Sequence, residues 1–297
     1  MNMSDISLHN PLIGAVIIIT VVSISVVIQL SSNKWFSNDH FDNMQNVSGI
    51  YMSAVGTLYS VVLGLLLVDA SDDFSNAKRY VEQESNALVK VYAASLRMPE
   101  RYIPKIASSV ERYVDHVISD EWSKMPDRDI KEETKSLFTK IWYTIYAIEP
   151  ENENQKAIYP LMLQSFEDAL ENRIDRITYS NYTLTWIEWF CLISGGIITI
   201  TFTLFFKIGN KVAHAIMTGM VSFMVSINLY AVYMLSEPFN GYVQLPIERF
   251  KFLSAYIKET TKSRGIVIPD LRIESETNHP PLPLPEHHTS PSSSRNR

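Results

Sequence analysis

Apolar residues along this chain gather in four runs of membrane length, Pro11 to Leu30, Gly49 to Val68, Tyr182 to Phe206 and Val212 to Leu235, within which Glu188 is the single Asp, Glu, Lys or Arg. About 20 residues rising about 1.5 Å each cover the roughly 30 Å of a bilayer's hydrocarbon core, so the pattern predicts four transmembrane helices. Beyond Val68 the continuous run becomes periodic. Phe74, Ala77, Val81, Glu84, Leu88, Val91 and Ser95 follow a three-four alternation, the spacing of a helix seam against other helices. No proline interrupts Gly49 to Met98, so one helix is expected to leave the bilayer and continue until Pro99 disfavours the helical conformation of the residue before it.

Three more amphipathic segments follow. The first starts near Pro104 and turns Ile106, Val110, Tyr113, Val117 and Trp122 inward; the second places Ile130, Thr134, Leu137, Ile141, Ile145 and Ile148 on one face before Pro150; the third runs from about Tyr159 to Asn181 through Leu163, Phe166, Leu170, Ile174 and Ile177. The expected fold is all-α: four transmembrane helices with an antiparallel helical soluble domain inserted between the second and third spans. The expected divisions are 1–68 for the first two spans (about 11–30 and 49–68), 69–181 for the soluble bundle, and 182–235 for the last two spans. Residues 236–274 form a membrane-proximal turn and an amphipathic helix through Ile247, Phe250, Leu253 and Ile257. In 275–297 Pro, Ser, His and Asn predominate and predict a disordered tail.

Small residues mark the second span. Gly49, Ser53, Gly56, Ser60 and Gly64 recur every three or four residues, with Thr57 beside them, giving one face on which another backbone can come close or which lines something. Glu84 occupies a seam position suited to Leu. It needs a cation or a donor, such as an Arg, His or Tyr of the same domain, or it serves in gating or ion sensing. Glu188 lies within two turns of one end of the third span beside Trp186 and Trp189, where it either reaches interfacial water or faces a pore. In the fourth span His214, Thr218, Ser222 and Ser226 repeat every four residues, a weakly polar stripe suited to hydrogen bonding between spans.

Composition narrows the function. The lone Cys191 excludes an intramolecular disulfide and a four-cysteine zinc site. Residues 69–181 carry 15 Lys plus Arg against 21 Asp plus Glu, so nucleic acid is not an expected partner. No nucleophile-base pair, paired metal ligands or phosphate-cradling glycine loop appears at usable spacing, so neither an enzyme, a cofactor nor a metal is expected.

At two places the chain resembles the bestrophin-like family of mostly bacterial integral membrane proteins, distantly related to bestrophin anion channels. The first is Tyr59-Ser60-Val61-Val62-Leu63-Gly64-Leu65-Leu66-Leu67 with Val81-Glu82-Gln83-Glu84-Ser85-Asn86-Ala87-Leu88; the second is Glu237-Pro238-Phe239-Asn240-Gly241 with Pro246. The resemblance, over roughly Tyr51 to Phe252, implies a homo-oligomer with the second span of each subunit facing a central axis. In bestrophins the Pro-Phe-Gly turn leads into consecutive acidic residues that clasp calcium. Here those positions hold Tyr242, Val243 and Gln244, which removes the oxygen cluster that calcium requires.

The expected function is that of an oligomeric channel for small ions, anions among them, along an axis lined by Ser53, Gly56, Thr57, Ser60 and Gly64. The alternative is a non-conducting membrane scaffold or signalling protein presenting an acidic helical domain. Partners are membrane lipid, further copies of the chain and small ions. With four spans the termini and the soluble domain share one side of an inner or plasma membrane. Lys78, Arg79, Arg173, Arg176, Arg249 and Lys251, set against Lys34, Lys207 and Lys211, assign that side to the cytoplasm.

Overall fold

The computed structural model describes residues 10–35, 45–125, 132–180, 183–206, 210–239 and 245–267, and these are helical with short connections. The helices are α1 (Pro11–Trp35), α2 (Gln45–Ser95), α3 (Ile103–His116), a π turn (Val117–Glu121) leading into α4 (Trp122–Lys124), α5 (Glu132–Tyr146), α6 (Glu153–Ser180), α7 (Trp186–Thr203), α8 (Lys211–Ser236) and α9 (Glu248–Ser263). Four of them, α1, α2, α7 and α8, are long and apolar enough to cross a membrane.

The 51 residues of α2 form one uninterrupted helix about 75 Å long, and the other elements are arranged along it. On the membrane half, Tyr59 and Leu63 pack with Leu192 of α7 and Val225 and Val232 of α8. This approach depends on Gly195, where a Cβ would come within 2.4 Å of the Tyr59 ring. Here α1 packs against α8 in antiparallel fashion, with Gly14 opposite Tyr230 and Gln29 opposite His214. On the other half, Ala77, Val81, Leu88, Val91 and Tyr92 enter a second core with Ile106, Val110, Phe138, Ile141 and Phe166. The most extensive packing of α2 is with α6, and α9 lies across α2 and α3. Ser85 donates to the Arg249 carbonyl at 2.9 Å and Ser254 to Asp115 at 2.8 Å, which ties α9 down.

Three expectations are refined. First, α6 starts at Glu153 rather than near Tyr159, because Asn152 Oδ1 accepts from the Gln155 amide at 2.9 Å and caps a turn upstream of Pro160. Second, within the Tyr182 to Phe206 run the helix begins at Trp186, where Thr185 and Glu188 form a capping box. Third, of the expected line through Leu163, Phe166, Leu170, Ile174 and Ile177, Phe166 is fully buried and Leu163 and Leu170 pack against the core, but the buried face also takes in Met162, Ser165, Ala169, Arg173 and Arg176 and leaves Ile174 40% exposed. The polar connection after α1, the turn at 207–209, the Asn240 to Gln244 segment and the proline-rich tail lie outside the described residues.

Candidate functional site

The face of α2 carrying Ser53, Thr57, Ser60 and Gly64 is exposed among the described residues. A Cβ built at Gly56 or Gly64 would find nothing within 4 Å, and one at Gly49 would touch only Phe206 at 4.0 Å. These residues sit at the edge of the seam that buries Tyr59 and Leu63, so packing against α7 and α8 fixes which face α2 turns outward. Thr57 donates to the Ser53 carbonyl at 2.7 Å and Ser60 to the Thr57 carbonyl at 2.8 Å, so both hydroxyls satisfy themselves on their own helix. At its outer end Gly49, Ile50, Ser53, Ala54, Thr57 and Leu58 border an open groove.

More than four turns beyond the apolar run, α2 brings Glu84 into a wholly buried charge network. Glu84 accepts from Arg176 Nε at 2.6 Å and from the Tyr113 hydroxyl in a short contact. Arg176 also donates to Glu121 Oε1 at 2.7 Å, and Arg173 grips the same carboxylate at 2.9 and 3.1 Å while donating to Tyr113 at 2.6 Å. Both guanidiniums lie over aromatic faces, Arg173 over Tyr113 at 5.2 Å and Arg176 over Phe250 at 5.7 Å. Two carboxylates and two guanidiniums balance, which is the condition under which buried charge is tolerated.

Of this set the sequence marks Glu84 as an anomaly and places Tyr113 on an inward face, whereas Glu121, Arg173 and Arg176 carry no such mark. Glu121 lies four residues after Val117 on the same inward face, and the π turn lets its neighbour Trp122 also reach the core, edge-on to Phe239 at 5.5 Å. Arg173 and Arg176 face Glu84 and Glu121 rather than the membrane surface, so neither belongs in a count of charges flanking the spans.

Burial by itself raises the Glu121 carboxyl, but Arg176 and Arg173 outweigh it and hold it down at about 2 instead of 4.5. A carboxyl lowered on folding stabilises the fold above its unfolded value, and that contribution is lost as pH falls through the folded one. The shift is worth roughly 3 kcal/mol, so thermal unfolding should show stability falling between about pH 4.5 and pH 2, and Glu121→Gln should flatten that slope.

Glu188 does not approach this network. Its carboxylate accepts from the Thr185 amide at 2.6 Å, making it the cap of α7, and the sequence signal for this is Thr185-Trp186-Ile187-Glu188 itself. In the turn after α8, Phe239 is buried against Trp122 beside Pro238, fastening the end of the fourth span to the bundle; Gly241 lies outside the described residues. The polar stripe of α8 faces α1: the Gln29 amide nitrogen lies 2.8 Å from His214 Nδ1, and His214 Nε2 lies 2.9 Å from the Thr203 carbonyl.

The family description that matches the chain is the Bestrophin-like domain, over residues 19–250. A crystal structure of a bacterial bestrophin homolog from Klebsiella pneumoniae, phased by zinc, is 12% identical with a TM-score of 0.57, covering 82% of this chain and 98% of that one. A homolog from the same organism carrying a point mutation is 13% identical with a TM-score of 0.63, covering 82% and 99%. A crystal structure described as a membrane protein variant is 13% identical with a TM-score of 0.63, covering 82% and 98%. At these identities the likeness shows a common fold. No curated protein matches the sequence.

Proposed function

This chain belongs to the bestrophin-like family of membrane proteins, and on that premise we propose that copies of it assemble around a shared axis and conduct small ions along the exposed face of α2, anions being the favoured class. The observation that carries this reading is the small-residue face of α2, open from Gly49 to Gly64 while the adjacent seam is buried. Lipid gives little hydrophobic drive for helix association, so a face of Gly, Ser and Thr serves close approach or a lined path better than contact with acyl chains. No carboxylate interrupts the stripe. Stepping seven residues from Thr57 through Gly64 and Ser71 reaches Lys78, exposed and the first charge on this face, whereas Asp69 and Asp73, five and nine residues past Gly64, turn away from it. Repeated around an axis, Lys78 would form a ring of positive charge, the arrangement that favours anions.

Ion flux through purified protein in liposomes tests the proposal. Wild type should pass chloride in preference to sodium, and Lys78→Glu should reverse the preference; equal flux of both ions in both proteins, or none in wild type, would overturn it. Flux should persist in a calcium chelator, because Tyr242, Val243 and Gln244 replace the acidic run.

The bundle built by α3 to α6 is assigned to the cytoplasm. With Arg173 and Arg176 buried, Lys78, Arg79, Arg249 and Lys251 remain near the span ends on that side. Cysteines introduced at Ser123 and Ser292 should resist an impermeant thiol reagent on intact cells and react after permeabilisation. Reaction on intact cells would invert the topology.

A further inference from the structure

Residues 69–181 are acidic as a whole, with 15 Lys plus Arg against 21 Asp plus Glu, yet their charges are sorted by helix. Among the described residues, the exposed positions of α2 from Lys78 to Arg97 hold four cations, Lys78, Arg79, Lys90 and Arg97, and no carboxylate; the rest are Gln83, Asn86 and Ala93. Glu82 is half-buried beside Arg249 at 3.9 Å, and Glu84 is enclosed in the charge network. The outward face of α6 shows the reverse: Glu153, Glu167 and Glu171 are exposed there against one exposed cation among the described residues, Lys156, which pairs with Glu153 at 2.8 Å.

Steps of eleven and seven residues bring an α-helix back to within about 20° of one direction, so Arg79, Lys90 and Arg97 form a row about 27 Å long. Arg79 is partly engaged, lying over the Tyr80 ring at 5.2 Å and interacting with Asp175 of α6. Lys90 and Arg97 make no ion pair among the described residues. Because α2 is one uninterrupted helix, the row continues its open face, from about 16 to about 44 Å beyond Val68. Asp72, seven residues before Arg79, heads the same line, so the row's attraction ends short of the bilayer. We infer that this row is a collecting surface for small inorganic anions, raising their concentration at the bundle-side mouth and leaving the choice of sign to Lys78. It serves the proposed conduction and rests on that reading for its consequence. Copies around an axis would bring several rows into one vestibule, where their potentials add.

In a Cys191→Ser background, a thiol-linked fluorophore is placed through Ala93→Cys, exposed between Lys90 and Arg97, and for comparison through Gln164→Cys, exposed beside Glu167 on α6. In nanodiscs at about 10 mM salt, where the Debye length is about 30 Å, the ratio of iodide to acrylamide quenching should be about threefold higher at position 93 than at position 164, the Boltzmann factor of a potential difference of roughly one kT. Lys90→Gln combined with Arg97→Gln should abolish the difference, as should about 1 M salt, where the Debye length is about 3 Å. Both side chains are exposed, so the double variant leaves the bundle core untouched. In liposomes it should lower chloride flux about two- to threefold at low salt, leave it unchanged at high salt, and keep the wild-type preference for chloride over sodium. Iodide enrichment in a protein that passes no chloride would keep the collecting surface and remove the conduction reading. Equal quenching at the two positions, with or without flux, would overturn the collecting surface, and is the result expected if the acidic face of α6 in a neighbouring copy covers the row. A difference that the double variant leaves intact would overturn it as well.

Discussion

Arg176→Met should be the most destabilising single substitution in the bundle, costing about 3–5 kcal/mol and a large part of the 5–15 kcal/mol typical of a folded domain. The arginine is fully buried and donates to both Glu84 and Glu121, so its loss leaves two carboxylates facing one remaining cation, Arg173. Methionine fills similar volume, so the cost is electrostatic rather than steric. The double variant Glu84→Leu with Arg176→Met should be more stable than Arg176→Met alone, because it removes a charge of each sign and leaves the paired contact between Arg173 and Glu121 intact. Glu84→Gln, which keeps the shape, should cost less than Arg176→Met. Thermal or denaturant unfolding of the three purified variants and wild type measures these differences. An Arg176→Met protein within 1 kcal/mol of wild type would mean the network is hydrated and weak.

Gly56→Leu and Gly64→Leu should have the largest effect on assembly and flux while leaving the subunit intact. No described residue lies within 4 Å of a Cβ at either position, and leucine favours helix over glycine by about 0.8–1.0 kcal/mol, so the isolated subunit has no reason to suffer. Damage must therefore come from a neighbouring copy. Mass measurement in native-like nanodiscs should show smaller species, and liposome flux should fall to background, with bundle unfolding unchanged. Gly195→Leu supplies the contrast: its side chain would drive into the Tyr59 ring of the same subunit, so it should impair folding itself. A monomeric wild type, or glycine variants that keep both assembly and flux, would remove the axial pathway.

Hydropathy made the spans legible because an uncharged run of about 20 residues has few other uses. Glu84 was legible as an anomaly because it broke an apolar seam. Its partners were not, and the reason lies in α6. The sequence offers Leu163, Phe166, Leu170, Ile174 and Ile177 as the inward line. Phe166 is fully buried and Leu163 and Leu170 pack against the core, but Arg173 and Arg176 also point inward to the carboxylates while Ile174 is left 40% exposed. Apolar periodicity cannot see an inward position held by an arginine. Glu188 has a second, purely local role that the signature Thr185-Trp186-Ile187-Glu188 spells out: its carboxylate completes the capping box that starts α7.

The separation of 92 positions between Glu84 and Arg176 has a consequence for biosynthesis. At about 5–20 residues per second, the ribosome delivers the arginine some 5–20 s after the glutamate. Throughout that interval the emerged half of α2 carries its seam of Val81, Leu88 and Val91 without the α6 residues that cover it in the folded protein. The cage can close only once α6 has emerged, just before the third span is due at the translocon.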